Sequence, residues 1–261
     1  MGGDLFVVDI GNTNVVLGVY RGKKLLAHWR IHTSAPRTED ELAITINQLF
    51  AMDKIGPGSI GDAIISCVAP PVLPEFVRLC ARIFNCQPLV VGPGVKTGVS
   101  VKVDDPREVG ADRIANAAGA LALHKPPLII VDFGTAITID AISANGEYLG
   151  GAIAPGMRMS MAALSTNTAK LPKVELLRPP SVIGTNTITA MQSGVFHGFV
   201  GMVDGIVKKM NPLLGGKAMV IATGGEAGLV AGASETIQKV EENLTLEGLR
   251  VIHENTRKAG K

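Results

Sequence analysis

Two short stretches combine residue types that hold phosphate and metal. Asp9-Ile10-Gly11-Asn12-Thr13-Asn14 follows the apolar run Leu5–Val8, and Asp132-Phe133-Gly134-Thr135-Ala136 follows Leu128–Val131. A glycine turn lets backbone N–H groups approach an anion, and the hydroxyls of Thr13 and Thr135 add donors, so each turn can cradle phosphate oxygens. The Asp at the end of each run can hold a hydrated Mg²⁺ or another cation beside those oxygens. Thr223-Gly224-Gly225, after a third apolar run, would let a flat ring such as adenine lie against bare backbone. Each stretch alone also reads as an ordinary turn, since Asp and Gly favour turns. No GxxxxGK[ST] occurs and no GxGxxG follows a strand-like run, which argues against the other common phosphate-binding loops. Asp112, at the start of an Ala-rich segment, reads by itself as a helix N-cap. Arg113 beside it could pair with a substrate carboxylate. Thr187 follows the N-cap candidate Asn186.

The elements that must position these residues alternate along the chain. Leu5–Asp9, Val15–Tyr20 and Leu25–Ile31 read as three strands joined by tight turns, the second at Gly22. Thr38-Glu39-Asp40-Glu41 fits a capping box, and Leu42, Ile46, Leu49 and Phe50 recur at helical spacing behind it. Ala63–Cys67 reads as a buried strand, Glu75–Phe84 as an amphipathic helix and Pro88–Val91 as a short strand. The stretch 92–106 reads as a loop with one extended piece. A helix runs from Gly110 to about His124. Leu128–Asp132, Thr135–Ile142 and Glu147–Ile153 repeat the three-strand pattern, with Gly146 in the place of Gly22. Met157–Leu164 reads as helix and Lys170–Val182 as loop. Ile188, Met191, Val195, Phe199, Met202, Ile206 and Met210 form a stripe on a long helix, which fits either a core or a dimer seam. Ala218–Ala222 is a strand, and helical segments follow. The class is α/β. The second copy of the strand–turn–strand pattern lies 123 residues after the first, which implies two related halves.

Composition narrows the function. In 261 residues, 46% are hydrophobic and 18% charged, so the chain can bury a core and is not disordered. A net charge of +2 and 4% aromatic residues offer neither a basic field nor stacking platforms for nucleic acid, and no partner of that kind is expected. Cys67, Cys80 and Cys86 lack metal-ligand spacing and read as reduced thiols. The histidines show no paired spacing for zinc. No apolar run is long enough to span a membrane, and the start Met1-Gly2-Gly3-Asp4 lacks the basic region of a leader, so a cytoplasmic protein is expected.

In their order, the two Asp-Gly turns and Thr223-Gly224-Gly225 resemble the phosphate and adenosine motifs of the actin, hexokinase and heat-shock chaperone superfamily. A narrower resemblance rests on Asp105-Pro106-Arg107-Glu108-Val109-Gly110-Ala111-Asp112-Arg113-Ile114-Ala115-Asn116, Gly150-Gly151-Ala152-Ile153-Ala154-Pro155-Gly156 and Gly184-Thr185-Asn186-Thr187. With the two turns, these blocks are similar to the type III pantothenate kinases. That resemblance implies two actin-like (ribonuclease H-like) halves, 1–115 and 116–261, with an ATP cleft between them. It implies ATP-dependent phosphorylation of pantothenate to 4′-phosphopantothenate, Mg²⁺ with the ATP, a monovalent cation (K⁺ or NH₄⁺) and a homodimer. Its site residues map onto Asp9, Ile10, Gly11, Asn12, Thr13, Asn14, Val15, Val16 and Thr135 for ATP, with Asp9 reaching Mg²⁺ through water. Gly110, Ala111, Asp112, Arg113 and Thr187 map onto the pantothenate contacts, Asp112 onto the proton acceptor and Asp132 onto the monovalent-cation ligand. Val16 stands where some members carry Lys, Thr185 where Lys or Arg often precedes the Asn-Thr pair, and Val103 where many carry Tyr. The remaining alternatives are another small-molecule kinase of the superfamily and a nucleotide-binding regulator without activity.

Overall fold

The structure is a computed structural model describing residues 3–33 and 38–259. The Met1-Gly2 start used in the leader argument lies outside the described residues. In chain order, β1 (Asp4–Ile10), β2 (Asn14–Arg21) and β3 (Lys24–His32) form an antiparallel meander. Then come α1 (Glu39–Met52), β4 (Ile60–Cys67), α2 (Leu73–Ile83), β5 (Leu89–Val90), β6 (Ser100–Val101) and α3 (Ala111–Leu123). A second meander of β7 (Leu128–Phe133), β8 (Ala136–Ile142) and β9 (Glu147–Pro155) follows. It leads to α4 (Met157–Thr166), α5 (Thr187–Leu213), β10 (Met219–Thr223), α6 (Ala227–Val230), β11 (Lys239–Val240) and α7 (Leu244–Ala259).

The first sheet has the order β3-β2-β1-β4-β5. The second runs β11-β10-β7-β8-β9-β6, so β7 to β11 take the places of β1 to β5 and β6 adds one edge strand. In both sheets the first strand of the meander pairs antiparallel with its successor and parallel with the strand that returns after a helical crossover. The sequence repeat is therefore a repeat of whole topology. The two-residue β11 lies where the sequence pattern gives only helix.

The chain divides into two compact units, one of 1–98, 105–122 and 244–261, the other of 99–104 and 123–243. This differs from a single boundary at 115/116, and close helix packing is the reason. A Cβ on Gly248 of α7 would lie 1.7 Å from the Ala115 carbonyl oxygen, and one on Gly119 would lie 2.5 Å from the Leu244 carbonyl oxygen. The backbones of α3 and α7 thus touch where both helices have no side chain to hold them apart. The Thr245 hydroxyl donates to Asn116 Oδ1 at 2.7 Å, and Asn116 is fully buried.

In the first unit, Phe6, Val8 and Ile10 pack with Leu17, Phe50, Ile65 and Phe76 in one core. The capping box of α1 is present: Thr38 Oγ1 accepts from the Glu41 N–H, and Glu41 Oε2 accepts from the Thr38 N–H at 2.8 Å. In the second unit, Val131, Phe133 and Ile137 pack with Met191, Val195, Phe196 and Val203 of α5. The stripe on α5 is thus core, with Phe199, Met202, Ile206 and Met210 packed against it and Ile188 alone half exposed. The core reading of the stripe is therefore met by the unit's own sheet. Among the described residues no helix is long and apolar enough to cross a membrane.

Candidate active site

β1 delivers Asp9 to a turn held by its own backbone. The Gly11 N–H donates to the Asn14 carbonyl at 3.0 Å, the Thr33 N–H to the Thr13 carbonyl at 2.9 Å, and the Thr33 hydroxyl to the Gly11 carbonyl at 2.7 Å. A Cβ on Gly11 would lie 2.8 Å from the Asn14 oxygen, so this close turn requires glycine. Asn12 and Thr13 are exposed at its tip, and Asp9 is half-buried. The side chains of Ile10 and Val15 belong to the core, so only their backbone groups can meet a ligand. Burial pushes the Cys67 thiol, at the end of β4, above its ordinary range, and the Asp9 carboxylate adds to that push. Cys67 is a neutral thiol beside the turn.

α3 carries the second group of candidates in the same unit. Asp112 is the second residue of the helix. Its Oδ1 accepts from the Arg113 N–H at 2.8 Å. A Cβ on Gly110 would lie 2.5 Å from that same oxygen, so the absence of a side chain at 110 makes room for the carboxylate. The Asp112 carboxylate thus accepts a first-turn N–H from within the helix. Gly110, Ala111, Asp112 and Arg113 are all partly exposed, whereas residues 114–120 are buried. Asp105 opens the preceding turn, and Arg107 beside it holds its carboxyl below the usual range.

The second unit repeats the first arrangement around Asp132. The Gly134 N–H donates to the Ala136 carbonyl at 3.2 Å, and the Gly156 N–H to the Thr135 carbonyl at 3.0 Å. Gly224, at φ +92°, has no room for a side chain: a Cβ there would lie 2.5 Å from both Asp132 Oδ1 and the Phe133 carbonyl oxygen. The backbone of Gly224 thus lies close against the Asp132 carboxylate. Thr135 is exposed at the tip of this turn.

Thr187 opens α5 behind the capping box of Asn186 and Thr189. It lines a largely apolar pocket of about 790 Å³ together with Ser160, Leu164, Leu171, Ala190 and Met191. The sequence pattern singled out Thr187 alone here. Leu171 sits in a stretch with no periodicity and Ser160 in an ordinary helix, so no local signal marks them. The structure thus gathers Asp9–Val16 and Gly110–Arg113 in the first unit, and Asp132, Thr135 and Thr187 in the second.

Comparison with known proteins adds an independent line. A family model described as Type III pantothenate kinase matches residues 5–209. A type III pantothenate kinase of Myxococcus xanthus is 51% identical over 249 residues, covering 95% of this chain and 97% of its own. Its counterpart in Geobacter sulfurreducens is 50% identical, covering 97% and 99%. Among solved structures, the ethanolamine utilization protein EutJ from Carboxydothermus hydrogenoformans superposes with a TM-score of 0.55 at 16% identity, covering 95% of this chain and 89% of its own. A ROK family glucokinase from Streptomyces griseus, in complex with glucose and AMPPNP, gives 0.52 at 14%, covering 98% and 100%. These two share the fold.

Proposed function

The chain belongs to the type III pantothenate kinase family, and on that footing we propose which of its residues carry the transfer of a phosphoryl group from ATP to the primary alcohol of pantothenate. This reaction opens coenzyme A biosynthesis. The observation that carries the reading is identity of about one half with enzymes of that name over nearly the whole chain. The geometry supports it: two Asp-bearing glycine turns on matching strands, and a partly exposed carboxylate on a helix in the first unit.

Phosphoryl transfer is governed by positioning and charge neutralisation. The turn at Gly11–Asn14 and the turn at Gly134–Thr135 offer backbone N–H groups and hydroxyls to the phosphate oxygens of ATP. Ile10 and Val15 contribute backbone only, and Val16 supplies no charge. Asp9 is the candidate to hold Mg²⁺ through water, and the ion, when bound, would offset the charge that develops on the transferred group. Asp132 is the candidate ligand for K⁺ or NH₄⁺, whose fixed positive charge would stand in for the basic residue absent at position 16.

Asp112 is the proposed proton acceptor. As the pantothenate oxygen bonds to phosphorus and the bond to ADP breaks, the hydroxyl proton passes to its carboxylate. Its Oδ1 accepts the Arg113 N–H, which holds the carboxylate ionised and able to receive a proton. Arg113 is assigned to the substrate carboxylate, and Thr187, with its apolar pocket, to the pantoyl end of the substrate.

A homodimer is part of this reading. The solvent face of α5 carries Gly194, Gly198, Gly201 and Gly205, none with an atom within 4 Å of a would-be Cβ, and Ile183 and Ile188 are 76% and 50% exposed nearby in sequence. A second copy would pack on that glycine face. The deciding assay measures ADP release from Mg·ATP with and without pantothenate. Release that depends on pantothenate supports the assignment, and release with a sugar or acetate in its place overturns it.

A further inference from the structure

Each catalytic-strand aspartate faces a buried hydroxyl across a parallel ladder. Asp9 of β1 pairs with Ser66 of β4, and Asp132 of β7 pairs with Thr223 of β10. The members of such a pair project to the same face of the sheet. Phe6, Val8 and Ile10 of β1 and Ala63 and Ile65 of β4 all enter the same core, so alternation places Asp9 and Ser66 together on the opposite face. Adjacent strands lie about 4.8 Å apart, within reach of a hydroxyl-to-carboxylate hydrogen bond after a side-chain rotation.

Ser66 is 0% exposed, and its Oγ has no hydrogen-bond partner among the described residues. A buried hydroxyl without a bond is costly, and alanine would fill the same place without that cost. The core does not require the hydroxyl, because the residues packed there lie on the other face. Thr223 is 2% exposed at the matching place in the second unit. The two units thus share a buried hydroxyl beside the strand-end aspartate.

We propose that Ser66 is a positioning residue for the phosphoryl transfer: its hydroxyl donates to one oxygen of the Asp9 carboxylate in the nucleotide-bound state and so directs the other oxygen toward the metal-bound water. This rests on the assignment of Asp9 to the Mg²⁺ site. Outer partners of metal-facing carboxylates act in this way, and their loss typically costs about 10–100-fold in metal affinity or activity.

The test uses the full chain and its Ser66→Ala variant. Binding of ADP is measured by calorimetry with and without Mg²⁺, and melting temperature and steady-state rates are measured alongside. The expected result is a loss of roughly 10-fold or more in Mg·ADP affinity, with metal-free ADP binding, the pantothenate KM and the melting temperature unchanged or the last raised. Ser66→Thr, which keeps the hydroxyl, restores most of the affinity. Ser66→Ala adds nothing to Asp9→Asn, because both act through one carboxylate. Wild-type Mg·ADP affinity in Ser66→Ala, an equal loss with and without Mg²⁺, or losses that multiply with Asp9→Asn would each overturn the inference. Wild-type protein that binds Mg·ADP but fails to phosphorylate pantothenate would overturn the substrate assignment instead and leave the Ser66 comparison to be read on its own.

Discussion

Gly248→Ala tests whether α7 sets the position of Asp112. The added Cβ would lie 1.7 Å from the Ala115 carbonyl oxygen. Carbon and oxygen approach no closer than about 3.3 Å in weakly attractive contacts, so the helices must part by roughly 1.6 Å. The clash is with backbone, and no rotamer can relieve it. Overpacking of this kind costs about 1–3 kcal/mol, which for a chain of this size lowers the melting temperature by roughly 2–12 °C. Ala115 lies three residues after Asp112 on the same helix, so the carboxylate moves with it. A displacement of about 1 Å in a catalytic group can reduce rate by about 10²-fold. The assay compares kcat and melting temperature in the variant at a temperature where it remains folded. A fall of about 10²-fold in kcat with native-like circular dichroism is the expected outcome. A lower melting temperature with wild-type kcat would refute the coupling between α7 and Asp112, and no change in either would refute the close approach itself.

Asp112→Asn, isosteric and still polar, should lower kcat by roughly 10²–10⁴-fold. Its melting temperature should hold, since an acidic side chain in the first turn contributes only about 0.3–1 kcal/mol; wild-type turnover would remove it as proton acceptor. K⁺ or NH₄⁺ should activate the enzyme more than Na⁺, and Asp132→Ala should abolish that difference; equal rates in K⁺ and Na⁺ for the wild type would refute the assignment. Light scattering at micromolar concentration should give a dimer that Gly201→Lys dissociates, whereas a fully active monomer would refute the interface. Burial pushes the Asp204 carboxyl upward, but hydrogen bonds from the Ser234 and Thr236 hydroxyls and the Glu235 and Thr236 N–H groups outweigh it and hold the group below its ordinary value. Its contribution is present above the unfolded pKa near 4 and is lost as pH falls through the lower folded value. Asp204→Asn should therefore be less stable than wild type at pH 7 by roughly 1–3 kcal/mol, and the gap should narrow below about pH 4; a constant gap would refute this account.

The repeat was legible because its signal is local: an apolar run, an Asp, a Gly and a hydroxyl at the same spacing twice. The capping box at Thr38 and the N-cap at Asn186 were legible for a similar reason, since each partner lies within three positions, though the reciprocal bond from Thr189 was not read. Four features were not. The stripe on α5 has the period of either a core or a seam, and only the sheet beneath it decides. β11 is two residues long, and it forms because Gln238 bonds Val220 and the Glu241 N–H bonds the Ala222 carbonyl. Asp112 reads as an N-cap from its place before the Ala-rich run, yet it is the second residue of the helix and accepts from the Arg113 N–H. The partners of Gly119 and Ala115 lie more than 120 residues away in sequence, at Leu244 and Gly248, and pattern reading within a window does not reach them.

The joining of α7 to the first unit bears on the order of events at the ribosome. Chains emerge from the amino end, and domains tend to fold as they appear. The strands β1 to β5 and helix α3 emerge early, but the helix that Ala115 and Gly119 rest on is translated after all of 123–243. The second unit is nearly contiguous and can close while the first still waits for its last helix. A nascent chain interrupted before Leu244 would therefore present a finished second unit beside an α3 without its support, a species open to proteolysis at the segment that bears Asp112. Synthesis to completion thus acts as a checkpoint on catalytic competence.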